Sequence, residues 1–467
     1  MNLNAHFRPR SRTVVLAVAA VILTWLVVSR SFVAFLADAA PRAALWLDGR
    51  QPEALVNVAD QALITADAAR LAGNADQSAR RPDDASDTKN LDRAFSAFET
   101  IGRNQSMSRP LPPADEPTIR MWATAAVMND PLNARALRIL GQLAEADDDD
   151  ADASKFMHAA DRLSLHEGRA TYWLMRTSAQ AGNYQAAIHF ADILLRTNPE
   201  SIIYVAPILG QISEDKEGAS LVKAALTGNP PWREQFMERL PSDVMDARTP
   251  LDILLALRSD PVPPAPDEIA PYVNFLIAHN FYSLAYYTWL QFLPQDELRH
   301  AGLLFNGNFD GPLSGLPFDW EITPGAGVTL DVVPRPDKSG EHALLVDFQY
   351  GRVEYHSVTQ LVMLAPGTYQ FNGQYKGSLI GPRGMKWRVV CANGTLTSGG
   401  ESPMITGMTP DWKNVTFTFT VPATNCPAQY VKLDLDARMA SEQFISGSIL
   451  FDELQISRVA NPSTAGG

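Results

Sequence analysis

Catalysis needs nucleophiles, acids, bases or metal ligands at set spacings, and this chain offers few of them. It contains no G-x-S-x-G elbow, no H-E-x-x-H pair, no C-x-x-C and no P-loop. The eight histidines are scattered. Gly325-Ala326-Gly327 runs into strand-like alternation, whereas a dinucleotide-binding glycine turn must open a helix. Carboxylates are plentiful, but a glycosidase pair is defined by separation in space, so spacing along the chain does not single one out. The acidic run Asp147–Asp150 reads as a solvated loop. These residues point to a binding protein with no required cofactor, and away from an enzyme. The two cysteines, Cys391 and Cys426, lie 35 positions apart at expected strand ends. In an oxidising compartment they are expected to form a disulfide; the alternative is two buried thiols.

The net charge of −13 repels phosphate backbones, which argues against a nucleic-acid partner. At 467 residues the chain should form two or three domains. Arg8, Arg10 and Arg12 precede the uncharged run TVVLAVAAVILTWLVV at 13–28, and after Arg30 apolar residues continue to Asp38, the first acid. The basic flank places residues 1–12 in the cytoplasm and the bulk outside it. Sixteen residues span about 24 Å, short of a hydrocarbon core of about 30 Å. Continuation of the helix to residue 36, with Arg30 snorkelling, closes the gap. A single-pass signal anchor over 13–36 is therefore expected in the inner membrane, with the bulk in the periplasm. Ala37-Asp38-Ala39 leaves a cleaved signal as the alternative.

Residues 41–302 read as helical. Pro52 suits a first helical position, and Leu55, Val58, Ala59, Ala62 and Leu63 follow at helical spacing. Residues 72–90 hold no large apolar side chain and read as a disordered insertion. Helix is expected again over 91–102, before the proline-rich punctuation at 109–117. Leu140-Gly141 recurs as Leu209-Gly210, 69 residues on, with Leu174 between them. Ala153 and Ala187 lie 34 apart, with Ala219 following, and Asn198-Pro199 and Asn229-Pro230 close units. This pattern resembles a degenerate tetratricopeptide repeat, a helix–turn–helix unit of 34 residues. The resemblance implies a solenoid that holds a protein partner. The aromatic-rich pair at 267–292 is expected to cover the solenoid's end and meet the next domain.

From 303 to 458 the period changes to two, broken by Gly and Pro, with 459–467 as a flexible tail. Strands are expected at 328–333, 343–348, 358–364, 369–375, 386–391, 415–421, 430–436 and 449–456. The expected class is multidomain α + β: a transmembrane helix, a helical solenoid and an antiparallel β-sandwich or jelly roll. Four stretches go further: LLFNGNFDGPLSGLPFDWEI, VTQLVMLAPGTYQFNGQYKG, PDWKNVTFTFTVP and SILFDELQIS. In this order they resemble the galactose-binding-like jelly-roll carbohydrate-binding modules of polysaccharide hydrolases. The resemblance implies a structural calcium held by Asp310 and Asp452, and a groove for a polysaccharide. Glycan-contacting candidates are Tyr375, Trp387 and Arg388, then Trp320, Tyr350 and Tyr355, because sugars need flat apolar faces and planar hydrogen-bonding groups. The whole then reads as an anchored accessory factor for surface polysaccharide assembly, export or retention. One rival is a protein-docking scaffold that binds no sugar; the other is a polysaccharide-active enzyme.

Overall fold

A computed structural model describes residues 9–78 and 114–459. Residues 1–8 of the expected tail, residues 79–90 of the expected insertion, the helix expected over 91–102, most of the proline-rich punctuation and the end beyond 459 lie outside the described residues. The chain forms two compact units, Met1–Trp232 and Arg233–Gly467.

In the first unit, α1 (Pro9–Ala39) contains the segment Leu16–Ala39, with a hydropathy of 2.1. It is the one helix among the described residues long and apolar enough to cross a membrane. After it come α2 (Pro41–Leu47) and α3 (Pro52–Ser78), each opened by its proline. Residues 72–78 belong to α3, which corrects their assignment to a disordered insertion. The helix propagates from its packed turns as far as Ser78. Among the described residues seven further helices follow: α4 (Glu116–Asn129), α5 (Ala134–Ala146), α6 (Asp150–Leu163), α7 (Gly168–Gln180), α8 (Tyr184–Thr197), α9 (Ile202–Glu214) and α10 (Lys216–Thr227).

Short polar residues start these helices at regular intervals. The side chains of Asn133, Asp149, Asn183 and Asp215 accept from the first-turn N–H groups of α5, α6, α8 and α10. The run Asp147–Asp150 is thus a tight turn whose third residue caps a helix. Ala153 and Ala187 are fully buried where helices meet. In the next pair the small buried residue is Gly218 and not the expected Ala219, which is partly exposed. A Cβ on Gly218 would come within 2.3 Å of the Ile212 carbonyl oxygen.

Helices α3, α5 and α7 share a buried ion cluster. Arg138, with no exposed surface, donates from Nη2 to Asp60 Oδ1 (2.7 Å) and from Nε to Glu167 (3.1 Å). Arg169 stands 3.4 Å and Arg135 3.6 Å from the Asp60 carboxylate. Burial pushes that carboxyl up, but Arg138, Arg169 and Arg135 outweigh it and hold it far below the usual range.

The second unit begins with α11 (Arg233–Asp243), α12 (Thr249–Leu257), α13 (Pro266–Ala278), α14 (Tyr282–Phe292) and α15 (Gln295–His300). Arg233 clamps Glu268 of α13 through two hydrogen bonds of 2.6 and 2.7 Å. The sequence reading draws a boundary at Leu303, yet these helices belong to the same compact unit as the strands. The reason is aromatic: Trp289 of α14 stacks edge-on with Phe305 (5.1 Å) and packs on Phe318 (5.6 Å).

Nine strands follow: β1 (Val328–Pro334), β2 (His342–Phe348), β3 (Val358–Val362), β4 (Gly367–Ile380), β5 (Met385–Cys391), β6 (Leu396–Glu401), β7 (Gly407–Val421), β8 (Gln429–Leu435) and β9 (Ser446–Arg458). They form one antiparallel sheet in the order β1-β2-β9-β4-β7-β6-β5-β8-β3. Along β7, Val415, Phe417, Phe419 and Val421 are buried and the intervening threonines exposed, as alternation demands. The sheet curls on itself: Phe371 of β4 and Trp387 of β5, strands that are not neighbours, meet at 5.3 Å in one core. Strand β6 is not among the strands expected from the alternation; within it, a Cβ on Gly400 would come within 2.6 Å of the Val389 carbonyl oxygen.

Cys391, at the end of β5, and Cys426, before β8, form a disulfide with Cα atoms 5.0 Å apart. Reducing it should lower the stability of this unit by roughly 4 kcal/mol, from the loop it closes. Urea unfolding with and without reductant checks this; identical midpoints would show that the cross-link contributes nothing.

Candidate binding site

The residues expected to contact a glycan are distributed over three environments. Trp387 (0 % exposed), Trp320 (1 %) and Tyr375 (8 %) lie in the core. Trp387 packs against Trp320, Phe371 and Phe451. The indole N–H of Trp320 donates to the Asn306 carbonyl at 3.0 Å. None of these three rings presents an open face on which a sugar could stack, so the structure corrects their assignment as stacking platforms. The physical reason is strand parity: Tyr375 and Trp387 fall on the inward side of β4 and β5. Tyr355 is half-buried against Phe348, and its hydroxyl donates to the Leu433 carbonyl at 3.0 Å. Burial pushes that phenol well above its ordinary range. Tyr350 alone of the six expected residues is fully exposed.

Arg388 lies on the outward face of β5 and is committed to ion pairs. It reaches Glu401 at 2.9 Å, Asp434 at 3.2 Å and Asp436 at 2.5 Å. Lys386, beside it, pairs with Glu401 and stands 3.5 Å from Asp436. Arg383 extends the network to Glu442 at 2.7 Å.

This network ends at a rim where three loops, residues 349–357, 381–384 and 436–445, converge. The Arg352 Nε donates to Gln443 at 2.9 Å, and the Val353 N–H donates to the Gln443 carbonyl at 3.0 Å. The Asp436 N–H donates to the Gly384 carbonyl at 3.0 Å, which ties in the third loop. Tyr350 and Phe444, the latter 54 % exposed, belong to this rim together with Arg352, Arg383 and Glu442. Exposed rings can cover the apolar face of a ligand while fixed guanidinium and carboxylate groups bond its hydroxyls. Three of these carboxylates, Glu401, Asp436 and Glu442, have pKa values lowered by their cationic partners. A hydrogen bond from Lys386 lowers the Glu401 pKa, and one from Arg383 lowers that of Glu442. Burial raises Asp436, but Arg388 and Lys386 outweigh it and bring it down. A glycosidase acid needs the opposite shift.

Sequence reasoning missed Phe444, Arg352, Arg383 and Glu442, because they lie in loops without periodicity. One signal was available: Tyr350-Gly351-Arg352 combines an aromatic, a glycine and a planar cation between two strands.

The two residues expected to hold calcium are engaged by different partners. Asp310 accepts from the His342 N–H (2.8 Å) and from Asn308 (2.7 Å). Asp452 is buried and accepts from Arg335 and from the Glu453 N–H. Among the described residues the one set of carboxylates close enough to hold a metal ion together is Glu341, Asp452 and Glu453, without Asp310. Arg335 Nη1 stands among all three, bonded to Asp452 and 3.8 and 3.6 Å from Glu341 and Glu453. A divalent cation there would meet a guanidinium, so these residues do not fit the group.

No family model matches the chain, and no curated protein matches it. Solved structures similar to part of it include a CBM4 module (18 % identity, 33 % of this chain and 99 % of that one, TM-score 0.25). A family 16 carbohydrate-binding module matches at 20 % identity over 34 % of this chain and 100 % of its own, with TM-score 0.24. A CBM22-1 xylan-binding domain from Paenibacillus barcinonensis matches at 15 % identity over 33 % and 93 %, with TM-score 0.23.

Proposed function

We propose that the chain is a membrane-anchored, extracytoplasmic binding protein whose β-sandwich, of the jelly-roll type, takes a carbohydrate at the loop rim. The observation that carries this reading is the rim itself: exposed Tyr350 and Phe444 on converging loops with Arg352, Arg383 and Glu442. The helices of the first unit act as a tetratricopeptide-like solenoid that holds a protein partner. Exposed Met121, Met128 and Leu132 on and beside α4 support that role. Such a protein serves surface polysaccharide assembly, export or retention without catalysing a reaction. Retention of α1 as the anchor is supported by its junction with the folded unit. Ala37, in the candidate cleavage tripeptide, is helical and fully buried, and Asn57 donates to its carbonyl at 2.8 Å.

Calorimetric titration of the purified chain with surface polysaccharides of its source organism tests the reading. Saturable binding is expected, and Tyr350→Ala should weaken it roughly tenfold, as loss of one stacking contact implies. Because Tyr350 is fully exposed, the melting temperature should stay unchanged. Failure of the folded protein to bind any such polysaccharide would favour a protein-docking scaffold. Reproducible release of reducing ends would instead favour an enzyme.

A further inference from the structure

Strands β1, β2 and β9 bring four carboxylates around one buried arginine. The Arg335 side chain is 2 % exposed. Its Nε and Nη2 engage both oxygens of Asp337, at 3.2 and 2.9 Å. Its Nη1 engages Asp452, which is itself 1 % exposed. The guanidinium carbon lies 4.1 Å from the centre of the Trp412 ring. Lys338 closes the outer side, at 2.8 Å from Glu453 and 3.1 Å from Glu341. The same Nη1 is the atom that stands among Glu341, Asp452 and Glu453, the set whose oxygens lie within 4.8 Å of one another.

We infer that Arg335 is a built-in cation: it neutralises a carboxylate cluster that could otherwise bind a divalent metal, and makes the sheet's stability independent of metal. Asp337, Glu341, Asp452 and Glu453 would repel one another across this short distance, most strongly around buried Asp452. A cation must offset them. The planar guanidinium does so with directed hydrogen bonds, and it is fixed from above by the indole face. Calcium would need the same oxygens and cannot approach them while Nη1 is there.

Two measurements on the full chain test this. The first titrates terbium into the wild type and follows emission sensitised by Trp412. No saturable signal is expected up to about 1 mM, the weak end of extracellular calcium affinities. A saturable signal abolished by Asp452→Asn would overturn the inference. The second compares thermal unfolding of the wild type, Arg335→Met and Arg335→Met/Asp452→Asn in chelator and in calcium. The sheet's transition is identified as the one that moves when the disulfide is reduced. The wild type should melt identically in both solutions. Arg335→Met should melt roughly 10 °C lower in chelator and recover in calcium. The double variant should lose that recovery. A single variant that melts like the wild type and ignores calcium sinks the idea. Should that variant not fold, the terbium result on the wild type decides.

Discussion

Replacing Arg138 with methionine is expected to destabilise the first unit by about 3–5 kcal/mol, the cost of stranding buried charge. Arg138 sits between Asp60 and Glu167, joining α5 to α3 and α7. Both carboxylates are nearly buried, so neither can turn to water for compensation. Methionine fills similar volume, which separates loss of charge from loss of packing. A urea titration followed by circular dichroism reads the helical transition. A midpoint shift worth under about 1 kcal/mol would mean that Arg169 and Arg135 suffice. The same cluster sets an acid limit. In the unfolded chain Asp60 should titrate near 3.9, whereas the folded pKa is far lower. Its stabilising contribution is therefore complete above about pH 4 and is lost as pH falls below that value. Asp60→Asn should be less stable at neutral pH and less acid-sensitive below pH 4; equal acid sensitivity of the two proteins would count against this origin.

Trp387→Ala should destabilise the second unit by about 3–5 kcal/mol, the range for deleting a buried aromatic. The indole bridges two parts of the curled sheet, touching Phe371 of β4 and Phe451 of β9 as well as Trp320. Its removal leaves a cavity that neighbours fixed on different strands cannot collapse to fill. The comparison with Tyr350→Ala separates core from site. The tryptophan variant should lower the unfolding midpoint, whereas the tyrosine variant should weaken carbohydrate binding with the midpoint unchanged. Thermal unfolding and calorimetry on both variants provide the readouts. A Trp387→Ala protein as stable as the wild type would show that the indole does not bridge a close-packed core.

The α-then-β order was legible because helical and strand periods are local properties. Leu55, Val58, Ala59, Ala62 and Leu63 announce α3, and the Thr/Phe alternation announces β7. Tyr375 and Trp387 were misplaced for a related reason. Side-chain parity assigns residues to one of two strand faces but does not say which face is inside. Tyr375 and Trp387 share a side with Phe371 and Phe451 in the core, while Arg388, one residue on, faces outward.

What the sequence determined by itself, then, is whatever is encoded within a few turns or a few alternations. That includes the order of helices and strands and the long apolar run that becomes α1. Tertiary structure decided what depends on distant meetings. Residues 335 and 452 lie 117 positions apart and meet in an ion pair, Asp60 and Arg138 lie 78 apart, and Arg352 finds Gln443 across 91. Burial and Coulomb interaction depend on distance in space, and no local period of the chain records it.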